Sequence, residues 1–144
     1  MRLPLLLLFL LLHQAAAAQD SLRLLKGMLQ MEGDLQDYQL EFTTTDSGYF
    51  KGISTTESKE GKLKAYVTGR EFPDGTIVFT ETGSLSGQLY YCFFSGRLVR
   101  LKDGRQVWYK GKFSSRTGDG TPCPGGYLEL HEKKPRKRRK APRS

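Results

Sequence analysis

The chain has 144 residues, enough for one domain with a core of its own. Its 16 Gly exceed the usual ~7%, and eight Phe, seven Tyr and one Trp favour strands and turns over a helix bundle. Two His and two Cys exclude a zinc site built from several such ligands, and the formal charge of +8 says little about the folded surface until its placement is known.

The N-terminus has the form of a signal peptide. Arg2 supplies the positive start, residues 3–12 are almost all Leu, and Ala15 to Ala18 offer an A-x-A cleavage site. The apolar run is too short for a ~30 Å hydrocarbon core, which needs about 20 residues. Cleavage after Ala18 leaves Gln19 first and predicts an exported protein, periplasmic or secreted, with no transmembrane segment in the mature chain. The predicted organisation is a signal peptide at 1–18, a β-barrel domain at 19–132 and a basic tail at 133–144.

The segment that follows is ambiguous. Leu22, Leu25, Met28 and Leu29 fit a helical stripe, whereas Leu25, Gly27, Leu29 and Met31 fit an alternating strand turning at Gly33-Asp34. Beyond it, period-two alternation and Gly/Asp/Pro punctuation predict a succession of strands. Tyr38, Leu40 and Phe42 alternate with polar residues up to a turn at Asp46-Ser47-Gly48. Residues 49–56 follow, with Tyr49, Ile53 and Thr55 on one side, and then Leu63, Ala65 and Val67 alternate with Lys64, Tyr66 and Thr68. Phe72-Pro73-Asp74-Gly75 is a turn signature that leads into a strand over 76–82, with Ile77 and Phe79 on one face. Residues 89–101 form the longest run, in which Gly96 marks a bend or bulge. Asp103-Gly104 predicts a type I′ hairpin into 106–113, with Val107, Tyr109 and Phe113 on one face and Trp108 on the other. Residues 114–126 read as a polar loop and 127–131 as a short closing strand.

If the first segment is a strand the count is eight. Short sequential links then predict an all-β, up-and-down antiparallel meander closed as an eight-stranded barrel, whose interior holds side chains or one small ligand. Met28, Leu40, Phe42, Ile53, Phe79, Phe94 and Phe113 are the expected filling.

Two sets of residues carry chemistry. Cys92 and Cys123, an even pair in an exported chain, predict an internal disulfide, with a free thiol pair or an intermolecular bond as the alternatives. Lys133, Lys134, Arg136, Lys137, Arg138, Arg139, Lys140 and Arg143 form a run of eight cations without an acid, while residues 19–132 hold 14 basic and 15 acidic residues. Such a run cannot bury a core and is expected to be disordered. It suits an anionic polymer, an anionic surface or an acidic protein, a solubilising end without a partner, or a nuclear-import signal, which the signal peptide argues against.

Residues 26–133 resemble a small all-β domain of exported, mostly uncharacterised proteins of Bacteroidota-type bacteria. The resemblance rests on Lys26-Gly27-Met28-Leu29, the stretch 75–82 (GTIVFTET), Tyr91-Cys92, Gly96-Arg97-Leu98, Lys110-Gly111-Lys112-Phe113 and the stretch 123–130 (CPGGYLEL). It implies a lipocalin- or avidin-like meander and a first strand in place of a helix. It brings no activity and no functional residues, and the basic tail lies outside the shared pattern.

No catalytic set emerges. His131 alone survives signal removal, without a nucleophile at a paired spacing. Asp34, Asp46, Glu60, Asp74, Asp103 and Asp119 sit singly where turns need them, and the alternating acids of a calcium loop are missing. Ser84, Ser86, Ser114 and Ser115 lack an elbow motif, and Gly118-Asp119-Gly120 is followed by no helix that would cradle phosphate. Tyr90, Tyr91, Phe93 and Phe94 suit a sheet core, or the lining of a ligand cavity. The sequence thus predicts an exported, non-catalytic binding or interaction module without a cofactor. A carrier of a small apolar ligand inside the barrel is the first alternative, and a hydrolase with an unrecognised site the second.

Overall fold

The computed structural model describes residues 21–85 and 92–134. They form β1 (Leu22–Met31), β2 (Asp34–Thr44), β3 (Tyr49–Ser58), β4 (Gly61–Glu71), β5 (Ile77–Ser84), β6 (Phe93–Asp103), β7 (Gln106–Arg116) and β8 (Pro122–Lys133). Each strand pairs antiparallel with the next, and β1 pairs with β8 from Leu24↔Lys133 to Met31↔Gly126, so the meander closes into an eight-stranded barrel. The first segment is therefore a strand. Among the described residues no helix is long and apolar enough to cross a membrane.

Closure requires strongly coiled strands, and β1 gains this at Gly27. A Cβ there would stand 1.9 Å from the Glu129 carbonyl oxygen, so only glycine lets β1 and β8 approach as they do. The tight turns do not all follow the sequence expectation. The link between β1 and β2 has positive φ at both central residues, Glu32 (49°) and Gly33 (84°), which is the type I′ pattern. The link between β6 and β7 is centred on Gly104-Arg105, with Asp103 paired to Gln106, and only Gly104 has positive φ. That pattern belongs to a type II′ turn, one residue later than the predicted Asp103-Gly104 turn.

Side chains fill the interior. Leu25, Leu29, Leu40, Ile77, Leu98, Tyr109, Leu128 and Leu130 are 0% exposed, so no water-sized void borders any of them. Phe42, Phe79, Phe94 and Phe113 point inward as expected. Met28 and Ile53 do not: both point outward, Met28 is 39% exposed, and Leu25 and Leu29 or Ser54 and Thr56 take the inward places beside them. In β3 the inward set is partly polar, which inverts the hydropathy signal.

The segment expected as a long polar loop is mostly strand. β7 continues to Arg116 and β8 begins at Pro122, leaving only 117–121 as a turn. A register shift past Phe113 absorbs the extra residue, and Ser115 Oγ donates to the Pro124 carbonyl at 2.7 Å. Gly96 lies in unbroken register between Phe93↔Arg116 and Gly96↔Phe113; the other shift in the barrel falls between Tyr66 and Val67 on the β4–β5 seam.

Candidate functional site

The barrel offers two ends and an outer wall. At one end lie the start of β1, the finish of β8 and the turns at 45–48, 72–76 and 104–105. Arg23 closes this end from within. It pairs with Glu71, donates from Nε to Glu132 at 2.7 Å and from Nη2 to the Tyr109 hydroxyl at 2.7 Å, and its guanidinium lies 5.0 Å over the Phe42 ring. Burial works against its charge, but the hydrogen bond to Glu132 and the fields of Tyr109, Glu132 and Glu71 outweigh burial and raise its pKa. Burial likewise raises the pKa of Tyr109, with Arg23 opposing. This cluster is a satisfied structural plug.

The Cys92–Cys123 bond sits at the other end, with Cα atoms 6.2 Å apart, and ties the chain entering β6 to the second residue of β8. Nearby, Glu81 is 3% exposed inside the barrel. Tyr38 Oη and Ser54 Oγ donate to its Oε1 at 3.0 and 2.5 Å, and the Phe94 N–H donates to its Oε2 at 3.0 Å. Sequence reasoning passed over Glu81, although its parity with Ile77 and Phe79 places it inward. Its donors hold it as part of the core, spanning β2, β3, β5 and β6.

Of the predicted tail, Lys133 is the last residue of β8, paired with Leu24, and Lys134 follows it; Arg136, Lys137, Arg138, Arg139, Lys140 and Arg143 lie outside the described residues. The predicted signal segment and Tyr90 and Tyr91 also lie outside them. Phe93 and Phe94 are described, Phe94 buried inward and Phe93 at the wall. His131 lies on the outer wall with its ring centroid 5.2 Å from that of Trp108, and burial together with the charge of Lys133 lowers its pKa. Among the described residues no three His, Cys, Asp or Glu stand together as metal ligands.

Two open grooves mark the outer wall. The first, of about 780 Å³, crosses the β1–β8 seam between Trp108 and Tyr127 on one side and Leu35 and Thr55 on the other. Its charges balance: Lys26, Lys62 and Lys133 face Asp37, Glu57 and Glu129. The second, of about 720 Å³, lies over β2–β5 and includes Thr43, Tyr49, Lys51, Thr68, Arg70 and Thr80. Strand register extends it into a continuous row. Thr43 pairs with Lys51, Lys51 with Thr68, Thr68 with Thr80, Thr80 with Ser95 and Ser95 with Ser114. Two residues along each strand runs a second row, Tyr49–Arg70–Val78–Arg97. Every member of both rows faces outward, and neither row holds an acid.

The sequence reading missed these rows because a hydroxyl row is a property of register across strands, and the residues are far apart in the chain. The signal that finds them is the outward parity of each strand once its partners are known. Comparison with known proteins finds no family model that fits this chain and no curated protein that matches it.

Proposed function

We propose that the chain is an exported, non-catalytic binding module, in which a filled barrel serves as a rigid scaffold and the polybasic run from Lys133 onward contacts anionic polymers, anionic surfaces or an acidic protein. One observation carries this reading: eight cations without an acid follow directly on a body whose 14 basic and 15 acidic residues nearly cancel. The packed interior favours this reading over carriage of a small apolar ligand, since fully enclosed side chains such as Leu40, Leu98 and Leu128 occupy the space a ligand would need. The two polar clusters inside the wall, around Arg23 and Glu81, have donors matched to acceptors, as structural groups do.

The test is the salt dependence of binding to a polyanion by the full chain and by a variant with the eight tail cations replaced by Gln. On nucleic acid as a laboratory probe, log K against log salt is expected to fall with a slope between roughly −3 and −7, because not all eight cations engage at once. Neutralising the tail should flatten that slope by several units. A slope left unchanged would remove the tail from the reading.

A further inference from the structure

We propose that two outward rows on β2 to β7 recognise an acidic polysaccharide, a chain of sugar rings that carry carboxylate or sulfate groups. This goes beyond the tail reading: the tail supplies unselective attraction, and this face supplies a matched surface on the barrel itself.

Three observations converge on it. The first is charge. Lys51, Arg70 and Arg97 are the charged members of the two adjacent outward rows, and all three are exposed cations. The groove across the β1–β8 seam, which takes in Asp37 of β2 and Glu57 of β3, balances three cations with three acids, whereas the groove over β2–β5 is lined by Lys51 and Arg70 and by no acid. Asp74, whose carboxylate feels Arg97, stands at one edge of the face, and Glu41, two residues before Thr43 on the outer side of β2, stands at another; neither lies in the two rows.

The second is the arrangement of hydroxyls. Thr43, Thr68, Thr80, Ser95 and Ser114 share one row with Lys51, spaced at the strand separation of ~4.8 Å. Each hydroxyl both donates and accepts, which suits a polyhydroxylated chain lying across the strands. Ser95 Oγ and Thr80 Oγ1 already stand 3.2 Å apart, so neighbouring hydroxyls are close enough to bind one sugar ring together.

The third is Arg70. Its guanidinium lies 5.0 Å from the ring centroids of both Tyr49 and Phe72, and among the described residues it forms no ion pair. Two rings thus hold an unpaired guanidinium in place, which lowers the ordering cost of a bidentate contact to a carboxylate or sulfate. The hydroxyl row favours sugar rings over bases, and because Tyr49 (56% exposed) and Tyr66 (54% exposed) both offer a ring on these strands, single-stranded DNA is included as a competitor in the test.

The experiment uses the full-length chain with its tail cations replaced by Gln, so that the face is read alone. Affinity is measured for a polyuronate, a sulfated polysaccharide, a neutral polysaccharide and single-stranded DNA; the first two identify which anionic group is preferred. The variant should bind at least one acidic polysaccharide. Adding Arg70→Gln and Arg97→Gln should weaken that binding by about tenfold or more, the scale of one lost charge-assisted contact. Adding Lys26→Gln and Arg105→Gln, the same charge change on β1 and in the β6–β7 turn, should alter it less than about twofold, the scale of an exposed charge. Thermal melts of all variants should agree, since these side chains are exposed.

Equal weakening by the two pairs would overturn the proposal, because retention would then follow bulk charge. DNA or the neutral polysaccharide binding as tightly as the acidic polysaccharides would overturn it too. If tail neutralisation abolishes all binding, the face fails and the tail reading stands. If neutralisation costs nothing while the arginine pair matters, the tail reading fails and the face stands.

Discussion

Replacing both Cys92 and Cys123 by Ser removes the one covalent cross-link of the barrel wall. The bond closes a loop with a sequence separation of 31, which contains β6, β7 and the turn at 117–121. On the chain-entropy relation, −2.1 − 1.5R ln n, a loop of that size restricts the unfolded chain by about 12 cal/mol/K, or about 3.7 kcal/mol at 25 °C. The entropy of unfolding over the about 110 residues from β1 to β8 is about 0.23 kcal/mol/K at ~2.1 cal/mol/K per residue. The double variant should therefore melt about 15 °C lower. Because the term belongs to the unfolded chain, the native barrel should persist, with the same far-ultraviolet spectrum at 10 °C. Thermal and urea denaturation of the two proteins measure the difference. A fall of less than about 4 °C, which corresponds to roughly 1 kcal/mol, would refute the reasoning and mean that the loop is already closed in the unfolded chain, for instance by the β6–β7 hairpin.

Other outcomes follow from single positions. Glu32 occupies the left-handed region at φ 49°, so Glu32→Asn, which completes an Asn-Gly type I′ pair, should stabilise the barrel by about 0.5–1 kcal/mol, and a lower melting temperature would contradict the turn assignment. Gly27→Ala should destabilise by about 1–3 kcal/mol because the new Cβ meets the Glu129 carbonyl; Gly83→Ala, whose Cβ has only Tyr66 near it at 3.9 Å, should stay within about 0.5 kcal/mol in a denaturant titration. Asp119 accepts from Thr117 Oγ1 and from the Thr121 N–H, which hold its pKa down to about 2. A depressed carboxylate contributes its stabilisation above its ordinary pKa and loses it as pH falls, so the 117–121 turn should loosen as pH drops from about 4 through about 2. A carboxyl-carbon NMR titration giving an ordinary aspartate value for Asp119 would show that the turn does not hold it.

How much of this was legible in the sequence depended on whether hydropathy and parity agreed. In β4 they do: Leu63, Ala65 and Val67 face in while Lys64, Tyr66 and Thr68 face out, as alternation predicts. In β7, Val107, Tyr109 and Phe113 face in and Trp108 out, again as read. In β1 apolar residues occupy both parities, and the inward set is masked by Arg23 and Gly27, so Met28 looked interior when it is not. In β3 the inward positions at Ser54 and Thr56 are polar because the interior there surrounds the Glu81 carboxylate, while apolar Ile53 lies outside. The loop expected at 114–126 was misjudged for a related reason. Pro122, Pro124, Gly125 and Gly126 read as breakers, yet proline is tolerated at the first residue of a strand and at a bulge, where β8 places these residues. The disulfide was legible from the even cysteine count together with the expectation of export. The outer rows of hydroxyls and guanidinium groups were not, since their members meet only through the pairing of six strands.

Folding constrains the two faces of this wall unequally. Inward positions must fill a narrow barrel, and the polar ones, Arg23 and Glu81, are each held by several partners at fixed distances. Outward positions carry no such requirement, and charges distributed there without function would be expected to mix signs, as they do across the β1–β8 seam. The two adjacent outer rows instead hold cations and hydroxyls beside Tyr49 and Val78, with no acid in either, and the exposed Arg70 lies over two rings and forms no ion pair among the described residues. Holding the Arg70 guanidinium costs side-chain entropy, which its two cation–π contacts offset by about 0.5–1 kcal/mol each. What folding leaves unexplained is the alignment of cations and hydroxyls without an acid across these rows, and the proposed acidic polysaccharide accounts for it, because it is an extended anion that presents hydroxyls at close, regular intervals.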